Sequence, residues 1–202
     1  MSESKEWKEA QEWERLWHGN CANSLNEELK QMVYAKRMGL SFYDDVRTPY
    51  NIILQNASIL DIGGGAYSLL LKSSGFSEAV VVDPCKFPDW VYARYDAAGI
   101  KYIIKPAEGL TLNRYFDEVW LYNCLQHVID PAEVVKIART YSTIIRVFEW
   151  LDVPETDGHL HVLTENKMNS WLGGNGKTEL LNESGCVGRA YYGIFMGSQY
   201  GK

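Results

Sequence analysis

Ser58-Ile59-Leu60-Asp61-Ile62-Gly63-Gly64-Gly65-Ala66-Tyr67-Ser68 decides how the chain is read. Apolar residues run into an acid, then three consecutive glycines, then residues able to start a helix. That pattern is a buried strand, a tight turn and a helix N-terminus. Glycine takes positive φ without strain and lets a ligand lie directly against the backbone. A second strand, Ala79-Val80-Val81-Val82, ends in Asp83-Pro84. A glycine turn after the first strand of an α/β unit, with an acid closing the second, is a way of holding a nucleoside.

The pattern continues outward from there. Strands are expected over 58–61, 79–82, 101–104, 116–122 and 142–149. Helices are expected over 67–74, 89–98 and 131–139, the last with Asp130 as N-cap and Pro131 at its first position. Thr164 caps a helix over 165–172, and two last strands, 177–181 and 188–195, surround a turn at Glu183-Ser184-Gly185. Alternating strands and helices imply a mostly parallel sheet covered on both faces. Ligands bind such sheets at the C-terminal ends of the strands. Those ends carry Asp61 and the glycines, Asp83, Asn123 and Glu149.

The first quarter is different. Trp7, Ala10, Trp13, Leu16 and Trp17 recur at helical spacings, and His18-Gly19-Asn20 is a stop signal. Ser24 with Glu27 forms a capping box for a second helix reaching about Met38, and a shorter segment covers 43–47. The chain therefore divides into a helical N-terminal extension, 1–50, and a core domain, 51–202.

Composition narrows the function. The 202 residues suffice for one domain with a small appendage. A net charge of −6 without a basic run argues against a nucleic-acid partner. The charged start, Met1 to Glu6, has no secretory apolar core, and no apolar run approaches the ~20 residues that span a bilayer. The four cysteines (21, 85, 124, 186) form no CxxC pair. Reduced thiols in a cytoplasmic protein, with no disulfide framework and no metal site, are expected.

The order of motifs from about Ser58 to Phe148, with a tail to residue 196, resembles the class I S-adenosylmethionine-dependent methyltransferases. The resemblance implies a three-layer Rossmann-like α/β fold. Its sheet has seven mostly parallel strands and an antiparallel C-terminal hairpin. It implies S-adenosylmethionine as cofactor. Asp61, Gly63, Gly64 and Gly65 match the first glycine motif, and Asp83 with Pro84 matches the acid that grips the ribose. Ala107 and Glu108 fall near the adenine position, where Pro106 replaces the Asp of many members, so a backbone amide such as that of Ala107 would read the adenine edge. Asn123 and Gln126 lie in the strand-four ending, Asn123-Cys124-Leu125-Gln126-His127-Val128, which resembles the family's Leu-x-His.

The expected reaction is methyl transfer to a small molecule or a sugar unit, at oxygen. His127 follows strand four and would serve as base; its plain alternative is a ring packed on the next helix. His159 and His161 flank Leu160, so an extended segment turns both to one side. Two histidines are too few to define a metal site, which leaves substrate contact or base chemistry. Trp17, Asn20 and Glu149 are the expected substrate contacts, with Trp17 as lid and Trp7 and Trp13 as packing. Two other readings compete. A nicotinamide- or nucleotide-binding oxidoreductase also uses a glycine turn and an acid, but position 68 is Ser where G-x-G-x-x-G needs Gly, and no Tyr-x-x-x-Lys pair follows strand four. A non-catalytic S-adenosylmethionine binder would keep the fold alone.

Overall fold

Valine, isoleucine and leucine fill the strands because both faces of the sheet are covered. A computed structural model describes residues 4–18, 24–42 and 51–198. In chain order the elements are α1 (Lys5–His18), α2 (Ser24–Arg37), β1 (Ile52–Ile53), β2 (Ser58–Ile62), β3 (Ser73–Ser74), β4 (Glu78–Asp83) and α3 (Asp89–Ala97). They continue with β5 (Lys101–Ile104), β6 (Phe116–Tyr122), α4 (Pro131–Tyr141), β7 (Ser142–Leu151), α5 (Glu165–Leu172), β8 (Lys177–Glu183) and β9 (Cys186–Met196). Seven strands form one sheet in the order β5-β4-β2-β6-β7-β9-β8. Neighbours from β5 to β7 run parallel, and β9 is antiparallel to both β7 and β8. The expected seven-stranded sheet with its antiparallel hairpin is therefore present.

Side chains alternate between two cores. Leu60, Ile62, Val80, Val82, Val119, Leu121, Ile145 and Val147 pack with α4 and α5. Ile59, Ala79, Val81, Trp120, Tyr122 and Phe148 pack with residues of α2 and α3. Asp130 caps α4 by accepting from the amides of Ala132 and Glu133, and Thr164 caps α5 by accepting from Lys167 N. The segment expected at 43–47, and Gly19, Asn20 and Cys21, lie outside the described residues; so does the Ser24 side chain of the expected capping box.

One expected helix is absent. After the glycine turn, where 67–74 was to be helical, Leu69–Lys72 makes a single 3-10 turn and Ser73–Ser74 is a short strand. The reason is local. Ser68 Oγ accepts from Leu70 N, Ser73 is extended (φ −110, ψ 154), and β3 pairs in parallel with β1. Leu69 and Leu70 are fully buried. The turn thus buries its apolar residues without continuing, and the next strand begins at once.

A buried ion pair joins the N-terminal helices to the sheet. Arg146 on β7 donates to both carboxylate oxygens of Glu118 on β6, each at 2.7 Å, and to the carbonyls of Met38 (2.8 Å) and Gly39 (3.1 Å). The two side chains are only 15% and 12% exposed. Removing one member leaves the other buried without its partner. Arg146→Met should therefore lower unfolding free energy by about 3–5 kcal/mol in urea titrations; a loss below about 0.5 kcal/mol, the level of an exposed pair, would contradict this.

Candidate active site

The site begins with a buried acid. Asp61, at 0% exposure, accepts through Oδ2 from Ser68 Oγ (2.5 Å) and Tyr122 OH (2.7 Å). Those hydroxyls accept in turn from Leu70 N (3.0 Å) and Leu69 N (3.0 Å). Tyr95 OH donates to Gly65 O (2.8 Å) and accepts from Ser68 N (2.9 Å). Burial pushes both phenols well above their ordinary range, so they remain donors. Burial also pushes Asp61 up to about 7, with nearby Asp83 adding to the rise against the two hydroxyl bonds.

The glycines serve this packing. Gly63 takes φ +79, and a Cβ there would stand 2.4 Å from Cys124 Cβ. A Cβ on Gly64 would meet Asp61 Oδ2 at 2.6 Å. Both are needed for the turn to close against Asp61 and the loop after β6. That structural requirement stands beside the close approach of a ligand, which the sequence alone suggested.

A cleft opens at the C-terminal ends of β2, β4 and β6. This is where strand order reverses, with β4 on one side of β2 and β6 on the other. Gly63, Gly64, Gly65, Asp83, Pro84, Ala107, Glu108 and Asn123 all line it. Asp83 accepts from Gly65 N (3.0 Å) and Cys85 N (2.8 Å), one amide on each oxygen. Glu108 accepts from Ile129 N (2.8 Å) and Asp130 N (3.0 Å), so it also fixes the start of α4. Across from the glycines, Trp7, Gln11 and Glu14 of α1 and Glu27, Gln31 and Tyr34 of α2 complete the wall.

A second hollow adjoins the cleft. Trp13, Trp17, Trp150, Gln126 and His159 line it, and Glu14, Glu27, Tyr34, Asn123 and His127 line both cavities. His127 Nδ1 lies 2.5 Å from Gly158 O and 3.2 Å from Glu14 Oε1. A carbonyl only accepts, so Nδ1 carries a proton, and in the neutral form of the ring Nε2 is then the acceptor. Gln126 Nε2 lies 3.2 Å from Asn123 Oδ1, 3.2 Å from His127 Nε2 and 3.4 Å from His159 Nε2. An amide nitrogen has two hydrogens for these three neighbours. Burial lowers the pKa of His159, and His127 beside it lowers it further, against a smaller opposing effect of Glu14.

The remaining expected residues lie elsewhere. Gln126, expected at the donor, lines the outer hollow. Asp61 lines neither cavity and acts from behind the turn. Glu149 is fully buried and lines neither cavity; its Oε1 accepts from Cys124 N (3.0 Å) and Leu125 N (3.1 Å) of the loop after β6. His161 also lines neither; its Nε2 faces Val128 O at 2.9 Å. Trp17 stands on the outer hollow, stacked on Trp13 at 5.5 Å. Trp13, expected as core, is 42% exposed, with its ring against Gly158. Asn20 lies outside the described residues. Glu14, Glu27 and Gln31 were missed. Glu27, Gln31 and Tyr34 fall at i, i+4 and i+7, one face of α2, and that spacing was the available signal.

No protein-family model matches the chain, and no curated protein matches its sequence. Solved structures do match. Magnesium protoporphyrin IX methyltransferase from Synechocystis, with bound SAM, superposes with a TM-score of 0.59 at 11% identity, covering 94% of this chain and 97% of the other. The N-methyltransferase NodS from Bradyrhizobium japonicum, in complex with S-adenosyl-L-homocysteine, gives 0.58 at 11% identity, covering 85% and 88%. The 1,6-didemethyltoxoflavin-N1-methyltransferase of Burkholderia thailandensis gives 0.55 at 14% identity, covering 72% of each chain. The fold is the class I methyltransferase fold. Among the described residues of this methyltransferase fold, no group of three or more His, Cys, Asp or Glu could hold a metal ion, and no helix is long and apolar enough to cross a membrane.

The buried acids make stability depend on pH. Burial pushes Glu149, like Asp61, up to about 7. Between the ordinary carboxyl range near 4 and that value, the folded chain holds protons that the unfolded chain has lost, so stability falls as pH rises from about 4 to 7. Glu149→Gln should flatten the fall by up to ~1.4 kcal/mol per pH unit in denaturant titrations across that window. An unchanged slope would contradict the assignment.

Proposed function

We propose that the chain is an S-adenosylmethionine-dependent methyltransferase acting at oxygen on a small molecule or sugar unit. The observation that carries this reading is the charge of the cleft. Asp83, Glu108, Glu14 and Glu27 line it, and among the described residues no Lys or Arg does. A low-dielectric cleft of one sign attracts the opposite charge. S-adenosylmethionine, when bound, supplies a methyl group made labile by a positive sulfonium. The same field opposes the pyrophosphate of a nicotinamide cofactor. Three of the turn amides that could cradle a pyrophosphate are also already bonded: Gly65 N to Asp83, Ser68 N to Tyr95 and Leu69 N to Tyr122.

The residues present fit the donor. A carboxylate has about four acceptor sites, and the amides of Gly65 and Cys85 use two of those on Asp83, so ribose hydroxyls can be accepted there. Trp7 Nε1 is a buried N–H that lines the cleft without an acceptor among the described residues, a place for the donor's carboxylate. Pro84, Phe87 and Ala107 give an apolar wall for the base. The N-terminal helices act as a lid: Gln11 Nε2 donates to His127 O (3.0 Å), and Cys85 Sγ donates to Gln11 Oε1 (3.3 Å). Covering the site excludes water and orders the reactants.

The outer hollow holds the acceptor. His127 lines both cavities and has its Nε2 set as acceptor by the Nδ1 bond, so it is the base that takes the hydroxyl proton. His159 is the neighbour that shares Gln126 with it.

Calorimetric titration with S-adenosylhomocysteine and with NAD+, run separately, tests the reading. The first should bind and the second should not; the reverse would overturn it. Asp83→Ala should weaken S-adenosylhomocysteine by about tenfold to a hundredfold, the worth of hydrogen bonds to a charged group. With any hydroxyl acceptor that turns over, His127→Ala should lower kcat by about a hundredfold or more with unchanged affinity for S-adenosylhomocysteine. An unaltered kcat would remove His127 from the chemistry.

A further inference from the structure

We propose that the acceptor is an organic amine, held as a cation where the two cavities meet, by Glu27, Gln31 and Glu14. This rests on the methyltransferase reading, because it assigns the outer hollow to the acceptor.

Glu27 and Gln31 lie one helical turn apart on α2, both 8% exposed, and both line the cleft. Gln31 Oε1 is buried with no hydrogen-bond partner among the described residues. A buried carbonyl oxygen left unbonded is costly. It accepts only, so the group that relieves it must donate. Glu14 enters the same junction from α1, and Glu14 and Glu27 line both cavities. An ammonium has three hydrogens and no acceptor, and here three acceptor side chains converge from two helices.

Charge points the same way. Among the described residues, Lys30 is the only Lys or Arg lining either cavity, and it bonds Glu27 Oε1 at 2.6 Å. Four carboxylates therefore face one cation across the joined space. The walls of the outer hollow are Tyr34, Trp150, Trp13 and Trp17. Aromatic faces attract a desolvated organic cation through their quadrupole and pack its carbon skeleton. A neutral acceptor would leave Gln31 Oε1 without a strong donor. An anionic acceptor would meet Glu14 and Glu27 directly.

The test is a charge series on one skeleton. Tyramine, para-propylphenol and para-hydroxyphenylpropionate place a cation, a neutral methyl and an anion at the same end of a phenol. Each is titrated by calorimetry into the full chain saturated with S-adenosylhomocysteine. Tyramine should bind about tenfold or more tighter than para-propylphenol, and the propionate should bind least. Glu27→Gln should erase tyramine's margin while para-propylphenol's own affinity stays within about twofold, with Glu14→Gln as a second variant should the first not fold. Equal binding of the neutral phenol, or no binding of any of the three, overturns the proposal. So does loss of S-adenosylhomocysteine affinity in Glu27→Gln, which would give Glu27 to the donor. Failure of the wild-type chain to bind S-adenosylhomocysteine is read before any phenol is added, and overturns the methyltransferase reading itself.

Discussion

A carboxylate removed from water leans on its neighbours, and Oδ2 of Asp61 is bonded by the turn it closes and by the end of β6. Ser68 and Tyr122 donate to its Oδ2, and their oxygens then receive the amides of Leu70 and Leu69. One acid at a strand end thereby ties the glycine turn, the 3-10 segment and the end of β6 into one unit. Gly63 and Gly64 have no Cβ because Cys124 and Asp61 stand where one would be. The turn is held from inside, not by a helix dipole. The amides of Gly65, Ser68 and Leu69 are spent on protein partners, and the cleft beside the turn is acidic, with no Lys or Arg lining it among the described residues.

The rest of the site depends on that closure. Once the turn is fixed, Asp83 can bridge Gly65 N and Cys85 N at the cleft edge. Glu149, buried on β7, pins the loop after β6 through Cys124 N and Leu125 N and so aims Asn123 and His127 at the cavity. The N-terminal helices close the other side. α1 reaches the His127 carbonyl through Gln11 and the His127 ring through Glu14. α2 stacks Tyr34 on Phe148 at 4.2 Å, and its C-terminal end is gripped by Arg146. The two cavities share one wall, an arrangement that the proposed transfer from a donor to an acceptor needs.

The strands were legible because each is a short apolar run bounded by Gly, Pro or Asp, and burial on both faces demands such runs. The caps at Asp130 and Thr164 were legible because their oxygens have one local task. The helix after the glycines was misread. Leu69-Leu70-Leu71 has the look of a helical face, but Ser68 bonds Leu70 N and Ser73–Ser74 pairs with β1, a non-local partner that no periodicity reveals. Glu14 reads as solvated charge because helices rich in Glu and Lys usually lie on the surface, and Glu27 reads as the capping-box partner of Ser24. Only the fold shows that one face of each turns inward. Glu149 and His161 stood at strand ends and loops where function concentrates, yet tertiary packing turned their polar atoms to backbone groups.

The central claim is that the cleft beside Gly63, Gly64 and Gly65 holds a methyl donor. A crystal structure of the wild-type chain grown with S-adenosylhomocysteine tests it most directly. The account predicts the product in that cleft, its ribose hydroxyls on Asp83 and its sulfur toward the junction near His127. Clear density for the product at any other place, with the cleft free of it, would contradict the account.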